Sequence, residues 1–510
     1  MKSTLMLLLL ATLTSAGFMP NVRIDHQNLP NHRCCDPAIA VGPGAPSSQP
    51  LYVAFEDDST VGMVRVRSDI MFQKSADAGR TWLPADLLIR RGSRYATSPD
   101  VTTDSDGNVH IVYVDYDTVN YGRHVRCVRS SDGGTTWTAP AQVDDNSSAA
   151  HIGWARIAAD SAGSLFAAWN QFRGAYSHIF SSVSTDKGAT WSPSVCVDDD
   201  TVPEDVSHAD VFVQPGTNHY LVAATAPRWV EGHIRFCAYL YRSTDRGLTF
   251  QPGVQLDTFD YNTAHPHVVA DQDHIICDYF GQGWNSRDRI IAESRTFYTQ
   301  PDTWGTPSPI TNLDTLHRLY YSGTLALSAD GRVHTALMIV VRPQEHYLTY
   351  YASSSDHGVS WSDLELVNDD TTGDDYYPDI GADIAGHAYV VWTDASRDEI
   401  WFSTNNPAGI AESPTTQAPR IGLTVKPNVF RRTTTIRMSA SSPVAHRSAL
   451  TVCDASGRLV RTLAIRQSPS ANHQFLSWNG CNNAGRRCTP GAYLIRAGSA
   501  VTKVILLPSE

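Results

Sequence analysis

The sequence contains no Cys-x-x-Cys pair and no basic run, and beyond its opening segment no apolar stretch approaches the ~20 residues that cross a bilayer as a helix. The first absence removes the local spacing on which structural zinc sites are built. The second, with 40 Lys and Arg against 52 Asp and Glu and a formal net charge of −12, disfavours a phosphate-backbone partner, so no nucleic acid is expected. The third leaves no transmembrane helix to expect. Nine cysteines are an odd number and cannot all pair within one molecule. Cys481 and Cys488, across an Asn/Gly-rich loop, are the best pair, whereas Cys34, Cys35, Cys127, Cys196, Cys237 and Cys277 read as structural or free thiols.

What is present begins with a charged, apolar and small-residue order: Met1-Lys2, then Leu7 to Leu10, then Thr14-Ser15-Ala16. That order is a secretory signal peptide over residues 1–16, with cleavage expected after Ala16. The mature protein is expected to be soluble, or attached through something other than a helix.

An eight-residue frame then recurs: SADAGRTW at Ser75, SSDGGTTW at Ser130, STDKGATW at Ser184, STDRGLTF at Ser243 and SSDHGVSW at Ser354. Its period is about 55 residues, with one interval near double, and a decayed copy around Trp304 fills the gap. In the frame the Asp caps backbone N–H groups of a tight turn, the Gly supplies a positive φ, and the Trp buries a large area. Turn chemistry accounts for every residue type, and a site repeated five times is not a catalytic centre. Around each frame the pattern reads as four short strands, the blade of a propeller. Seven second strands are expected, at Leu51, Val109, Leu165, His219, His274, Val333 and Ala388. The last period stops after its third strand near Asn406, and NVRIDH at Asn21 has the look of AQVDDN at Ala141. An N-terminal strand is therefore expected to complete the last blade and leave no open edge.

These copies resemble the Asp-box, or BNR repeat, of the sialidase family, over residues ~30–405. The resemblance implies an all-β fold: a β-propeller over residues 17–406, of seven blades, or six if one period is an insertion. It also implies glycoside hydrolase activity on extracellular glycan or glycoprotein. The alternative is a non-catalytic propeller that binds glycan or protein at the same mouth.

The residues opening each first strand should ring the channel mouth: Asp36-Pro-Ala38, Ser98-Pro-Asp100, Trp154-Ala-Arg156, His208-Ala-Asp210, His265-Pro-His267, Ser322-Gly-Thr324 and Tyr377-Pro-Asp379. Period-two alternation is expected to turn the first and third member of each triplet the same way. Loops above add Glu56, Asp57, Arg173, Trp229, Glu231, Trp284, Arg342, Glu345, His346, Arg397 and Asp398. Carboxylates for proton transfer, aromatics for sugar faces and arginines for an acidic sugar suit a glycosidase. Asp100, Asp210, Tyr377, Glu231 and Arg156 are the candidate catalytic residues. Asp36, Trp154, His208, His265, His267, Asp379, Arg173, Trp229, Trp284, Arg342 and Arg397 are the candidates for substrate binding. No sialidase Arg-Ile-Pro is present, since Arg23, Arg156, Arg289 and Arg420 precede Ile without a following Pro. No cofactor is expected; the alternative is a divalent metal on His208, Asp210, His265 and His267.

After Asn406 the composition turns Pro/Ser/Thr-rich, and residues 407–421 read as a linker. Residues 422–510 read as a small β-sandwich. VCDASGRLVRTL at Val452, SWNGCNNAGRRCTPGAYLIRAG at Ser477 and KVILL at Lys503 resemble the FlgD-type Ig-like domain. Such tails are similar to type IX secretion sorting domains, which implies a secreted or bacterial cell-surface protein attached through this domain.

Overall fold

The computed structural model describes residues 17–407, apart from 27–31, 62–63, 93, 117–121, 147–150, 199–204, 231, 258–261, 283–290, 300–302, 311–316, 322–323 and 342–345. It also describes residues 421–508, apart from 427–428, 441–449, 455–458, 464–472 and 498–499. The signal peptide and linker expected at 1–16 and 407–421 thus lie almost wholly outside the described residues. The chain divides into two compact units, 1–410 and 411–510. No described helix is long and apolar enough to cross a membrane.

Apolar strands of two to twelve residues build seven consecutive antiparallel sheets in the first unit. Blade 1 runs His32–Val41, Leu51–Val61, Val64–Ser75 and Leu87–Arg90. Blades 2 to 6 open with inner strands at Ala96–Thr103, Ile152–Ala159, Ser207–Val213, Asn262–Ala270 and, in two pieces, His317–Tyr321 and Leu325–Leu327. Blade 7 is Asp375–Ala382, Ala388–Asp394 and Glu399–Thr404, completed by Val22–Arg23. The inner strands touch in succession and the last meets the first, so the sheets close into a ring. This is a seven-bladed propeller, and the six-bladed alternative falls.

The closing strand binds as the sequence comparison anticipated. Val22 and Arg23 pair with Phe402 and Trp401. Beyond the pairing, Asp25 accepts the Ile400 N–H at 2.7 Å, as Asp144 accepts Val125 N–H at 2.8 Å in blade 2 and Asp198 accepts Ile179 N–H at 2.8 Å in blade 3. The shared Val/Ile-Asp ending encodes a carboxylate that caps the third strand.

The apolar core is a ring of clusters, each shared by two adjacent blades. The frame aromatics enter these seams. Trp82 of blade 1 meets Phe402 of blade 7 edge-on at 5.0 Å, and Trp137 of blade 2 meets Phe72 of blade 1 at 5.1 Å. The frame therefore rivets blade to blade. Its turn is held as expected: Gly79 N–H donates to Ser75 Oγ at 2.8 Å, and Asp77 accepts the Thr81 N–H and hydroxyl at 2.9 and 2.7 Å. Such bonds to the ionised form hold the Asp186 and Asp245 carboxylates down to about 2.

Gly79 sits at φ 88°, and a Cβ there would lie 2.3 Å from Phe402. Gly163 has φ 82° but only Lys187 at 3.6 Å. Gly79→Ala is expected to cost about 1–3 kcal/mol more than Gly163→Ala in urea unfolding, because only the first adds overpacking to backbone strain. Equal losses would show that Phe402 yields freely.

The second unit forms a three-stranded sheet (Ile421–Lys426, Thr434–Ala440, His473–Trp478) and a five-stranded one that includes Leu450–Asp454, Gly491–Ala497 and Ala500–Leu506. Trp478 and Ile436 are fully buried between them. All nine cysteines are thiols, which corrects the Cys481–Cys488 pairing. The hairpin sets Cys481 opposite Arg487, and Cys488 packs against the sandwich core.

Candidate functional site

Six of the seven inner strands carry the same irregularity. At Asp36, Ser98, Trp154, His208, His265 and Tyr377 the backbone turns left-handed, with φ between 43° and 55°. At each of these positions the ladder slips, so that the strand carries one residue more than its partner. Each is a β-bulge at a barrel-like rim, the kind of place where a sheet re-aims side chains. In these six triplets the middle residue is buried while the first and third line the channel. The expectation about facing holds, but the bulge produces it, not alternation. Pro37, Pro99, Pro266 and Pro378 occupy the middle position and bring no N–H to leave unpaired.

A left-handed non-glycine residue costs about 1–2 kcal/mol, so six in a ring need support from outside the strand. Neighbouring blades supply it. Glu56 of blade 1 accepts the Ser98 N–H at 2.6 Å, and Thr225 of blade 4 accepts the His265 N–H at 3.1 Å. The third members tie blades together: Asp100 accepts Ile157 N–H at 2.8 Å, Asp210 accepts Val268 N–H at 2.9 Å, and Asp379 accepts Ile39 N–H at 2.7 Å. Thr324 donates to Asp379 and accepts Ile380 N–H at 3.0 Å. Asp100 also accepts its neighbour Val101 N–H at 3.0 Å, so both of its oxygens are engaged. Asp100 and Asp210, expected to transfer protons, thus serve as inter-blade clamps.

These triplets line a cavity of about 760 Å³. It gathers Asp36, Asp100, Trp154, Arg156, His208, Asp210, His265, His267, Tyr377 and Asp379 from the expected set. Arg173, Trp229 and Arg397 lie outside its lining. Arg173 stacks over Phe180 at 4.4 Å, Trp229 is 67% exposed on a strand end, and Arg397 is paired with Asp370 and Asp394. Glu231, Trp284, Arg342 and Glu345 lie outside the described residues. Asp57 is bound by His32 at 2.8 Å, His346 by Asp374 at 3.2 Å, and Asp398 stands 3.6 Å from Arg33.

Electrostatically the cavity is a cation among carboxylates. Burial pushes Asp100 up to about 7, against the pull of Arg156 and the Ile157 N–H. Burial likewise raises Asp36, against the pull of Arg33 and then Arg156, and Asp379, against the Thr324 hydroxyl, the Ile39 N–H and Arg156. Burial, then Arg156 and His267, pushes His208 down to about 4; burial and His208 push His265 down to about 2. Their rings stand 4.0 Å apart, with Trp154 4.9 Å from His208. Both imidazoles are therefore neutral at pH 7. His267 differs: burial lowers it, but Asp278 at 3.1 Å more than compensates and raises it. Asp278 was missed from the sequence, although a carboxylate inside HIICDYF was a signal. For the divalent-metal alternative, His267 Nδ1 is held by Asp278, which leaves its Nε2, and one Asp210 oxygen accepts the Val268 N–H. The His/Cys/Asp/Glu groups whose ligand atoms converge within 4.8 Å lie elsewhere.

Asp36 is the exception among the ring carboxylates. Among the described residues no hydrogen bond engages it, and its charge is felt by the Tyr377 phenol, which burial and Asp36 together raise.

Residues 429–502 match the FlgD Ig-like domain. None of the curated proteins matches this chain. Among solved structures, a protein of unknown function from Dyadobacter fermentans is 14% identical, with 77% of this chain and 99% of that one covered and a TM-score of 0.47. An α-L-arabinanase of Penicillium chrysogenum complexed with arabinobiose is 16% identical, over 66% and 98%, with a TM-score of 0.42. A PL25 ulvan lyase is 11% identical, over 80% and 91%, with a TM-score of 0.41. Likenesses this distant decide nothing about chemistry.

Proposed function

We propose that the propeller is an exported glycan-acting protein that takes an acidic sugar into the channel mouth and cleaves its glycosidic bond. The observation that carries this reading is the convergence, in one cavity of about 760 Å³, of a carboxylate that no hydrogen bond engages among the described residues, an arginine and a wall of rings. Arg156 receives the sugar carboxylate, Trp154 and the two neutral imidazoles offer faces and hydrogen bonds, and Asp36 beside Tyr377 supplies the proton. The residues 1–16 direct export and the Ig-like unit serves attachment or sorting at the bacterial surface.

A second reading is a non-catalytic glycan or protein binder. What favours it is that Asp100, Asp210 and Asp379 are all committed to holding neighbouring blades, which leaves one unengaged carboxylate where hydrolases use two.

The full chain offered a panel of aryl glycosides, sialyl and uronyl included, is expected to release the phenol from acidic members. Arg156→Ala is expected to weaken binding of these by about 10–100-fold, the ~1.5–3 kcal/mol of a hydrogen bond to a charged group, and to leave neutral sugars unaffected. Retention on a glycan array without release would establish the binding reading. Neither release nor retention would sink both.

A further inference from the structure

Asp36 can protonate a leaving oxygen, but hydrolysis needs a second group to activate what attacks the sugar. The repeat itself marks where that group stands. In five of the six bulged blades the residue paired with the third member of the triplet is small or apolar: Ala54, Val112, Ala168, Ala223 and Val391. In blade 5 it is a carboxylate, Asp278, opposite His267.

Asp278 has no exposed surface. Its Oδ1 accepts the His267 backbone N–H at 3.1 Å and meets the ring Nδ1 at 3.1 Å, while Oδ2 has no partner among the described residues. A buried carboxylate so poorly satisfied is costly, and a repeat that breaks its own pattern at a cost marks a working position. Because Oδ1 is an acceptor for the backbone N–H, it accepts from the ring as well, which places the ring proton on Nδ1. The lone pair is then on Nε2. That atom takes no hydrogen bond among the described residues, and His267 lines the cavity. The other two imidazoles are held differently. His208 Nδ1 meets the Ser207 hydroxyl at 3.0 Å, and His265 stacks between His208 and Phe280, at 4.0 and 5.6 Å.

Position around the ring completes the case. Asp36 belongs to blade 1 and His267 to blade 5, as far apart as a ring of seven blades allows, yet both line the one cavity. An acid and a base on opposite walls leave room between them for a sugar and a water, the arrangement of single-displacement hydrolysis.

We infer that His267, oriented by Asp278, is the general base of this site, in place of the second carboxylate that hydrolases use. Nε2 takes a proton from water as the water oxygen bonds to the anomeric carbon, the glycosidic C–O bond breaks, and the departing oxygen leaves with the proton of Asp36. The sugar is released with inverted anomeric configuration, and proton exchange with solvent resets both groups. This assignment rests on the glycan-cleaving reading of the mouth and deepens it.

The test uses the full chain and the 4-nitrophenyl glucuronide and sialoside, with the product anomer read by proton NMR. Inversion is expected, with turnover unaffected by EDTA. His267→Asn keeps an amide N–H for Asp278 but has no Nε2, and should lower kcat by about 10²–10⁴-fold with KM and Tm kept. His267→Ala should lose as much, and added imidazole should restore part of it, which a merely structural defect would not allow. Asp278 is a positioning residue: in Asp278→Asn an amide turned to Nδ1 favours the wrong tautomer, so kcat falls while KM holds. Retention of configuration, full turnover in both His267 variants, or turnover abolished by EDTA would overturn the assignment and leave glycan cleavage standing. A parent that releases nothing from either glycoside would overturn both.

Discussion

Ile24→Ala is expected to lower stability by about 2–5 kcal/mol, the usual toll of truncating a fully buried aliphatic side chain. Ile24 has no exposed surface and packs with Phe402, Tyr389 and Ile400 of blade 7 and with Ile39 and Phe55 of blade 1. Its N–H donates to the Ile400 carbonyl at 2.9 Å. The closing strand offers only two paired residues, so Ile24 and the Asp25 cap hold it to blade 7, beside the Asp379–Ile39 bond and the Trp82–Phe402 contact that also cross the ring's last seam. Loosening it exposes the edge of Glu399–Thr404, a template for pairing with another chain. Urea unfolding with size-exclusion chromatography checks both effects: a lower midpoint and a growing dimer fraction are expected. An unchanged midpoint would mean that inner-strand packing alone holds the ring.

Asp36→Asn is expected to reduce turnover of an acidic glycoside by about 10²–10⁴-fold, the contribution of a positioned proton donor, with substrate affinity retained. The variant keeps shape and hydrogen-bonding size and removes only the ionisable group. The sign of the pH dependence follows from the raised Asp36 carboxyl. As a donor it must be protonated, so parent activity falls as pH rises through that raised value, and the Asn variant loses this alkaline limb. Turnover that survives in Asp36→Asn would return the role to Asp100, the ring carboxylate pushed up to about 7. Stability moves in the opposite direction. His208 and His265 are held neutral well below their unfolded value, so their contribution is complete above about 6.5 and declines as pH falls toward 4.

Much of the ring was legible because its signals are local. The frame, its period and the Val/Ile-Asp ending each constrain a few adjacent residues, and a repeated turn repeats its chemistry. The triplets at the mouth were legible as positions. Their roles were not, because whether a ring Asp faces a substrate or the next blade's N–H depends on the bulge before it and on a partner about 57 residues away. Asp100 and Asp36 look alike in sequence, each beside a proline. One follows its bulge and is spent on Ile157; the other occupies its bulge and is not.

By itself, then, the sequence determined an all-β repeat architecture, the number of second strands and the strand that completes the last blade, since each rests on short-range turn and alternation rules. Only the tertiary structure decided which carboxylate is unengaged, which imidazoles are neutral and which one a buried aspartate backs. Those are properties of groups brought together across strands and across seams between blades, where burial and a single opposing N–H or charge outweigh anything the neighbours in sequence supply.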